Sequence, residues 1–148
     1  MSENFKIQIE ENPAEGELLI IDRGLVYYTE EASGQTFHYK RLFVFLRDEN
    51  QKIVGGLIGK TVWGWLEVED LWVESHLRGL GFGTKLMQTA ETEAAARNCR
   101  SAMLDTFSFQ ALDFYHKLNY TIFGKLDNFP HGQTRYFLRK NLNKNERN

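Results

Sequence analysis

The sequence is poor in several residues whose abundance would assign it to a class. It has one cysteine, Cys99, in 148 residues. One thiol excludes an intramolecular disulfide and offers no cysteine-rich zinc cluster. Its setting, Asn98-Cys99-Arg100, suits a helix-to-strand junction. No His–Cys pairing can be argued for it, so it reads as a structural thiol rather than a nucleophile. His38, His76, His116 and His131 share no metal-like spacing, and no metal is expected. Proline occurs twice, against 42% hydrophobic and 14% aromatic residues, which is core-forming material rather than a disordered composition. No stretch approaches the ~18–20 apolar residues of a membrane span. Neither sign of charge prevails: 18 basic and 20 acidic residues leave a net charge of -2, without the basic surplus of a nucleic-acid binder. The start, Met1-Ser2-Glu3-Asn4, lacks the basic stretch and apolar run of a signal peptide. These features predict a cytoplasmic protein with neither a membrane nor a nucleic acid as partner. No repeat or linker divides the chain, so one domain over 1–148 is expected, with 141–148 as a frayed polar tail.

What is present is a regular succession of elements. Phe5-Lys6-Ile7-Gln8-Ile9-Glu10 alternates apolar and polar residues as a half-buried strand does. Leu18, Leu19, Ile21, Leu25 and Tyr28 recur at helical spacing, predicting a helix or pair of helical turns over about 14–30, weakened by Gly16 and Gly24. Three strand-like runs follow, at about 41–47, 53–61 and 65–73, joined by short polar turns that favour an antiparallel meander. Leu86, Met87, Ala90 and Ala94 mark one face of a helix over about 81–98. A short strand (about 101–106), a second helix carrying Ala111, Leu112, Tyr115 and Leu118, and two closing strands (about 121–125 and 134–140) complete the order. This predicts a mixed, mostly antiparallel sheet flanked by helices, an α/β (α+β) fold rather than an alternating doubly wound one.

The chemistry is concentrated where a strand runs into a helix: Val73-Glu74-Ser75-His76-Leu77-Arg78-Gly79-Leu80-Gly81-Phe82-Gly83-Thr84-Lys85. Glycine permits positive φ and close approach of backbone to ligand. The first N–H groups of a helix lack internal partners and its N-terminus is partly positive. Together these make an anion site suited to a pyrophosphate, with Arg78 and Lys85 as flanking charges. Two other glycine turns fail on spacing. A dinucleotide fingerprint needs glycine where Thr84 stands, and a P-loop needs Gly-Lys-Ser/Thr where the order is Gly83-Thr84-Lys85.

The segment Arg78-Gly79-Leu80-Gly81-Phe82-Gly83 resembles the acetyl-CoA signature of the GNAT superfamily of N-acetyltransferases, preceded by a matching apolar pair, Trp72-Val73. Downstream, Ala111-Leu112-Asp113-Phe114-Tyr115-His116-Lys117-Leu118 resembles a second element of that family, with Asn119 standing where the family has glycine. The resemblance covers about 41–140. It implies the GNAT acyl-CoA N-acyltransferase fold, with acetyl-CoA as co-substrate and no metal. The cofactor-binding residues it implies are Leu71, Trp72, Val73, Arg78, Gly79, Leu80, Gly81, Phe82, Gly83, Thr84, Tyr115 and Ser108, the last where many members carry asparagine.

The implied activity is direct transfer of an acetyl group to a primary amine, on a small molecule or a peptide, in a ternary complex without an acyl-enzyme. Such transfer needs a base for the amine, a donor for the oxyanion and a proton for the leaving thiolate. The resemblance implies Glu67 as base with Glu69 second, both on one strand face, Tyr115 as acid, and the backbone N–H of Val73, exposed by a strand bulge, as oxyanion donor. Solvated or ion-paired strand carboxylates and a packed helix tyrosine are the plainer roles for these residues. Trp63, Trp65, Phe37, Tyr39 and Phe129 are candidates for an aromatic acceptor pocket, sheet packing being the commoner fate of each. The alternative function is a non-catalytic acyl-CoA-binding sensor or interaction module. The resemblance admits a homodimer and leaves the acceptor undefined.

Overall fold

The computed structural model describes residues 4–143. The end of the expected frayed tail, from 144 onward, lies outside the described residues. These divide after Phe37 into two compact units.

In the first unit the alternating stretch 5–10 forms no strand, contrary to expectation. A strand needs a neighbour to take its N–H and C=O groups, and this unit holds no other strand among the described residues. The rest of it is one helix, α1 (Glu15–Ser33), continuous through Gly16 and Gly24. Glu17 caps it by accepting from the Ala14 N–H at 2.9 Å. Gly34, at φ 69°, ends it and donates to the Glu30 carbonyl.

The second unit is a six-stranded sheet with two helices. Its elements follow the predicted order: β1 (Tyr39–Arg47), β2 (Ile53–Val62), β3 (Trp65–Val73), α2 (Phe82–Ala96), β4 (Ser101–Phe107), α3 (Leu112–Lys117), β5 (Thr121–Asp127) and β6 (Thr134–Asn141). The spatial order is β1-β2-β3-β4-β6-β5. Only β3 and β4 run parallel; the other pairs are antiparallel. This is the mixed, mostly antiparallel sheet the sequence predicts. Among the described residues no helix is long and apolar enough to cross a membrane.

The predicted stripe Leu86, Met87, Ala90 and Ala94 is the buried face of α2. It packs on Leu42, Leu57, Leu66 and Val68 from the first three strands. Two alanines in the stripe let the helix lie close to the sheet, as dense packing requires. Arg97, at the end of α2, donates to the carbonyls of Lys40 and Arg41 at 3.2 Å and so ties the helix to the sheet's edge. Cys99 is buried between α2 and β4, where burial pushes its thiol up. That is the structural role its sequence context suggests.

Candidate active site

β3 and β4 part company along their length. Their parallel pairing covers Trp65↔Ser101 to Glu67↔Met103 and then ends. Beyond it the edge of β3 from Val68 to Val73 faces a gap. On the other side β3 remains paired with β2, and Glu74 continues that ladder by donating to Val54 at 2.9 Å. Alternate residues of an antiparallel strand face opposite neighbours, so Val73 turns its N–H and C=O away from β2. Its carbonyl accepts from Arg78 Nε at 2.9 Å, and its N–H points into the gap. The bulge lies elsewhere than at Val73. Ile58 pairs with Asp70 and Gly59 with Val68, leaving Glu69 as the extra residue. A Cβ at Gly59 would stand 2.5 Å from the Glu67 carbonyl oxygen, so the bulge requires glycine there.

After β3 a single 3-10 turn, Ser75–Leu77, leads to the glycines. Gly79 and Gly81 have φ of 76° and 88°, and a Cβ on either would meet nothing within 4 Å. Conformation, not crowding, requires glycine at both, and the space above them is open. Gly83 differs: its Cβ would approach Phe114 at 3.2 Å, so it serves helix packing. Gly81 begins α2 without a side-chain cap, and the first α2 hydrogen bond to it comes from Lys85. The N–H groups of Phe82, Gly83 and Thr84 are thus the unsatisfied donors of a helix start.

Two cavities meet here. One, of about 430 Å³, runs over Gly79, Gly81, Phe82, Gly83 and Thr84. The other, of about 580 Å³, fills the gap between β3 and β4. Leu71, Val73, Arg78, Ala111 and Tyr115 line both. Tyr115, on α3, is the buried member, its ring packed edge-on against Phe114 and Tyr120. Its hydroxyl makes no hydrogen bond among the described residues. Burial, and then the Asp105 carboxylate, push it up to about 12. It therefore carries its proton at neutral pH.

The gap is bordered by carboxylates in different states. Glu69 is held by Arg41 at 3.3 Å and Lys60 at 3.8 Å. Asp105 is held by Arg135 at 2.8 Å, whose guanidinium lies 5.1–5.5 Å from the ring centres of Phe107, Phe129 and Phe137. The Asp70 carboxylate has no hydrogen bond or ion pair among the described residues. Asp70 did not emerge from the sequence, because the bulge reverses the strand's parity after Glu69. It puts Asp70 on the face of Glu67 rather than the α2 face. Gly59, an isolated glycine in a strand, is the signal that pointed to it.

The other expected residues divide. Glu69 and Trp72 line the gap. Glu67 lines neither cavity and pairs with Lys60 at 3.5 Å, the ion-paired role set out as its plainer reading. Leu80 is exposed and also lines neither. Ser108 is likewise outside both: its hydroxyl donates to Gln133 Oε1 at 2.6 Å and accepts from the Thr134 N–H at 3.0 Å. Lys85 lies over the Phe82 ring and does not line the turn cavity. Trp63 sits in the β2–β3 turn at φ 48°. Trp65 lines a separate hollow at the far end of β4. Beside Tyr115, the aromatic residues at the gap are Trp72, expected on the cofactor side, and Phe109, which carried no expectation. Asn119, where the resemblance expects glycine, has φ 71°, a conformation asparagine tolerates.

A turn with free backbone donors, a cleft beside it and a protonated tyrosine between them suit group transfer. A profile of the Acetyltransferase (GNAT) family matches residues 8–120. Acetyltransferase Atu2258 of Agrobacterium fabrum is 36% identical over 127 residues, 86% of this chain and 91% of the relative. Blasticidin-S acetyltransferase of Streptomyces morookaense is 36% identical over 95 residues, 64% of this chain and 70% of the relative. The crystal structure of an acetyltransferase from Bacillus cereus ATCC 14579 superposes with a TM-score of 0.78 at 30% identity, over 90% of this chain and 97% of that one. More distant proteins sharing the fold, at 23% identity, have been solved with coenzyme A and acetyl coenzyme A. The chain belongs to the GNAT family of acetyltransferases.

Proposed function

We propose that this acetyltransferase moves the acetyl group of acetyl-CoA to a primary amine of a small molecule by direct attack. The observation that carries the reading is the meeting of the turn cavity and the strand gap at Tyr115. The pyrophosphate of the donor is assigned to the N–H groups at the start of α2, with Arg78 beside them. The thioester is assigned to the stretch Leu71–Val73, and the acceptor to the gap. A relative named for blasticidin S supports a small-molecule acceptor over a peptide.

In the reaction the acceptor ammonium gives up a proton, and the free amine attacks the thioester carbonyl. The C–N bond forms, the C–S bond breaks, and sulfur leaves as a thiolate. The Val73 N–H stabilises the oxyanion. Tyr115 supplies a proton to the thiolate and regains one from the nitrogen, which sheds its second proton as the amide forms. Glu69, at the gap, receives the amine proton. Glu67, away from it, holds Lys60 beside Glu69. The test is release of free coenzyme A thiol when the protein is mixed with acetyl-CoA and a panel of amines. Amine-dependent release supports the reading; coenzyme A binding without release from any amine removes it in favour of a binding module.

A further inference from the structure

We propose that the acceptor carries a second cationic group, an ammonium or guanidinium beyond the amine that is acetylated, and that Asp70 binds it. The proposal rests on the assignment of the β3–β4 gap to the acceptor.

The carboxylates there differ in their pairing. Glu69 and Asp105 are neutralised by Arg41, Lys60 and Arg135. Asp70 lines the gap with no such partner among the described residues. The bulge delivers it: with Glu69 extra, Asp70 stands opposite Ile58 and on the outward face. In a regular strand it would turn toward α2. While the gap holds water, the carboxylate is solvated. A ligand that closes over it must replace that water. A neutral group there loses the hydration of Asp70 without return, whereas a cation replaces it with an ion pair. Trp72 and Phe109 line the same gap, and aromatic rings attract a cation placed over their faces. About 580 Å³ is room for more than a minimal amine.

The test compares acceptors of equal length that differ only at the far end: putrescine against aminobutanol, and hexamethylenediamine against aminohexanol. Each is followed by thiol release. Wild type is expected to favour the diamine by about tenfold in kcat/KM, and Asp70→Asn to bring that ratio to within about twofold of unity through the diamine's KM. Coenzyme A affinity of the variant, measured by calorimetry, stays at the wild-type value and shows that the site is folded. Equal kcat/KM for the members of a pair in wild type overturns the cationic acceptor and leaves the transferase intact. An equal loss on both members in Asp70→Asn also overturns it, since the residue then serves proton transfer to any amine. Absence of thiol release from every amine removes the transferase reading itself, and this proposal with it.

Discussion

The two cavities that meet at Tyr115 are made of different material. The one assigned to the donor is mostly backbone: two glycines with positive φ, the free N–H groups of a helix start and the edge of β3. The one assigned to the acceptor is mostly side chains: Glu69, Asp70, Asp105, Trp72 and Phe109. Backbone can bind only what every member of a reaction class shares, an anion and a carbonyl. Side chains can be exchanged without disturbing the fold, so substrate choice belongs to the second cavity. Tyr115 belongs to both, and perturbing it is the sharpest way to separate them.

Tyr115→Phe is expected to lower kcat by about 100-fold or more, the usual contribution of a positioned acid, with coenzyme A affinity unchanged. Rapid-mixing turnover and calorimetry check the two halves. If affinity falls as far as turnover, the hydroxyl contributes to donor binding rather than to proton transfer, and the boundary between the cavities moves.

The same contrast explains what the sequence disclosed. The glycine turn was legible because its geometry is local: a strand end, glycines at 79 and 81 and an amphipathic helix lie within about 20 residues. The eight strands and helices of the second unit followed from apolar runs and spacing, although β5 buries none of its residues. The stretch 5–10 misled because alternation measures amphipathicity, not the presence of a pairing partner. At the acceptor side the sequence marks neither Asp70 nor Phe109. Which side a β3 carboxylate faces depends on a one-residue bulge, and a regular period of two cannot register it. Asp105, whose partner Arg135 lies on β6, depends on strand order as well.

Burial of Tyr115 has a consequence for stability. An unfolded tyrosine ionises near pH 10, whereas burial holds Tyr115 to about 12. Below pH ~10 both states are protonated and the full stability is present. Between ~10 and ~12 the unfolded chain ionises first, and about 2–3 kcal/mol is lost. Tyr120, pushed up by burial and by Glu91, acts with the same sign. Chemical denaturation across this range should show Tyr115→Phe losing less stability than wild type. Equal losses would mean that the junction is wet.

On the donor side alone, Gly81→Ala forces a side chain into φ 88°. The cost is about 1–2 kcal/mol, read as lower stability, weaker coenzyme A binding by up to about tenfold, or both. Gly83→Ala, where Phe114 need only give way slightly, should do less. An acceptor preference altered by Gly81→Ala would show that the two cavities are not separable.

The smallest expected effect decides a residue's side. Resemblance puts Ser108 with the donor. Its hydroxyl is instead spent on Gln133 and the Thr134 N–H, joining the end of β4 to the start of β6. That junction holds Phe107 and Phe109 stacked at 5.3 Å, and Phe109 borders the acceptor gap. Ser108→Ala should therefore cost about 1 kcal/mol of stability, the worth of a hydrogen bond, and raise KM for the amine slightly. Coenzyme A affinity should stay at the wild-type value. A loss of coenzyme A affinity as large as that of Gly81→Ala would return Ser108 to the donor side, and would mean that its bonds to β6 give way when the donor binds.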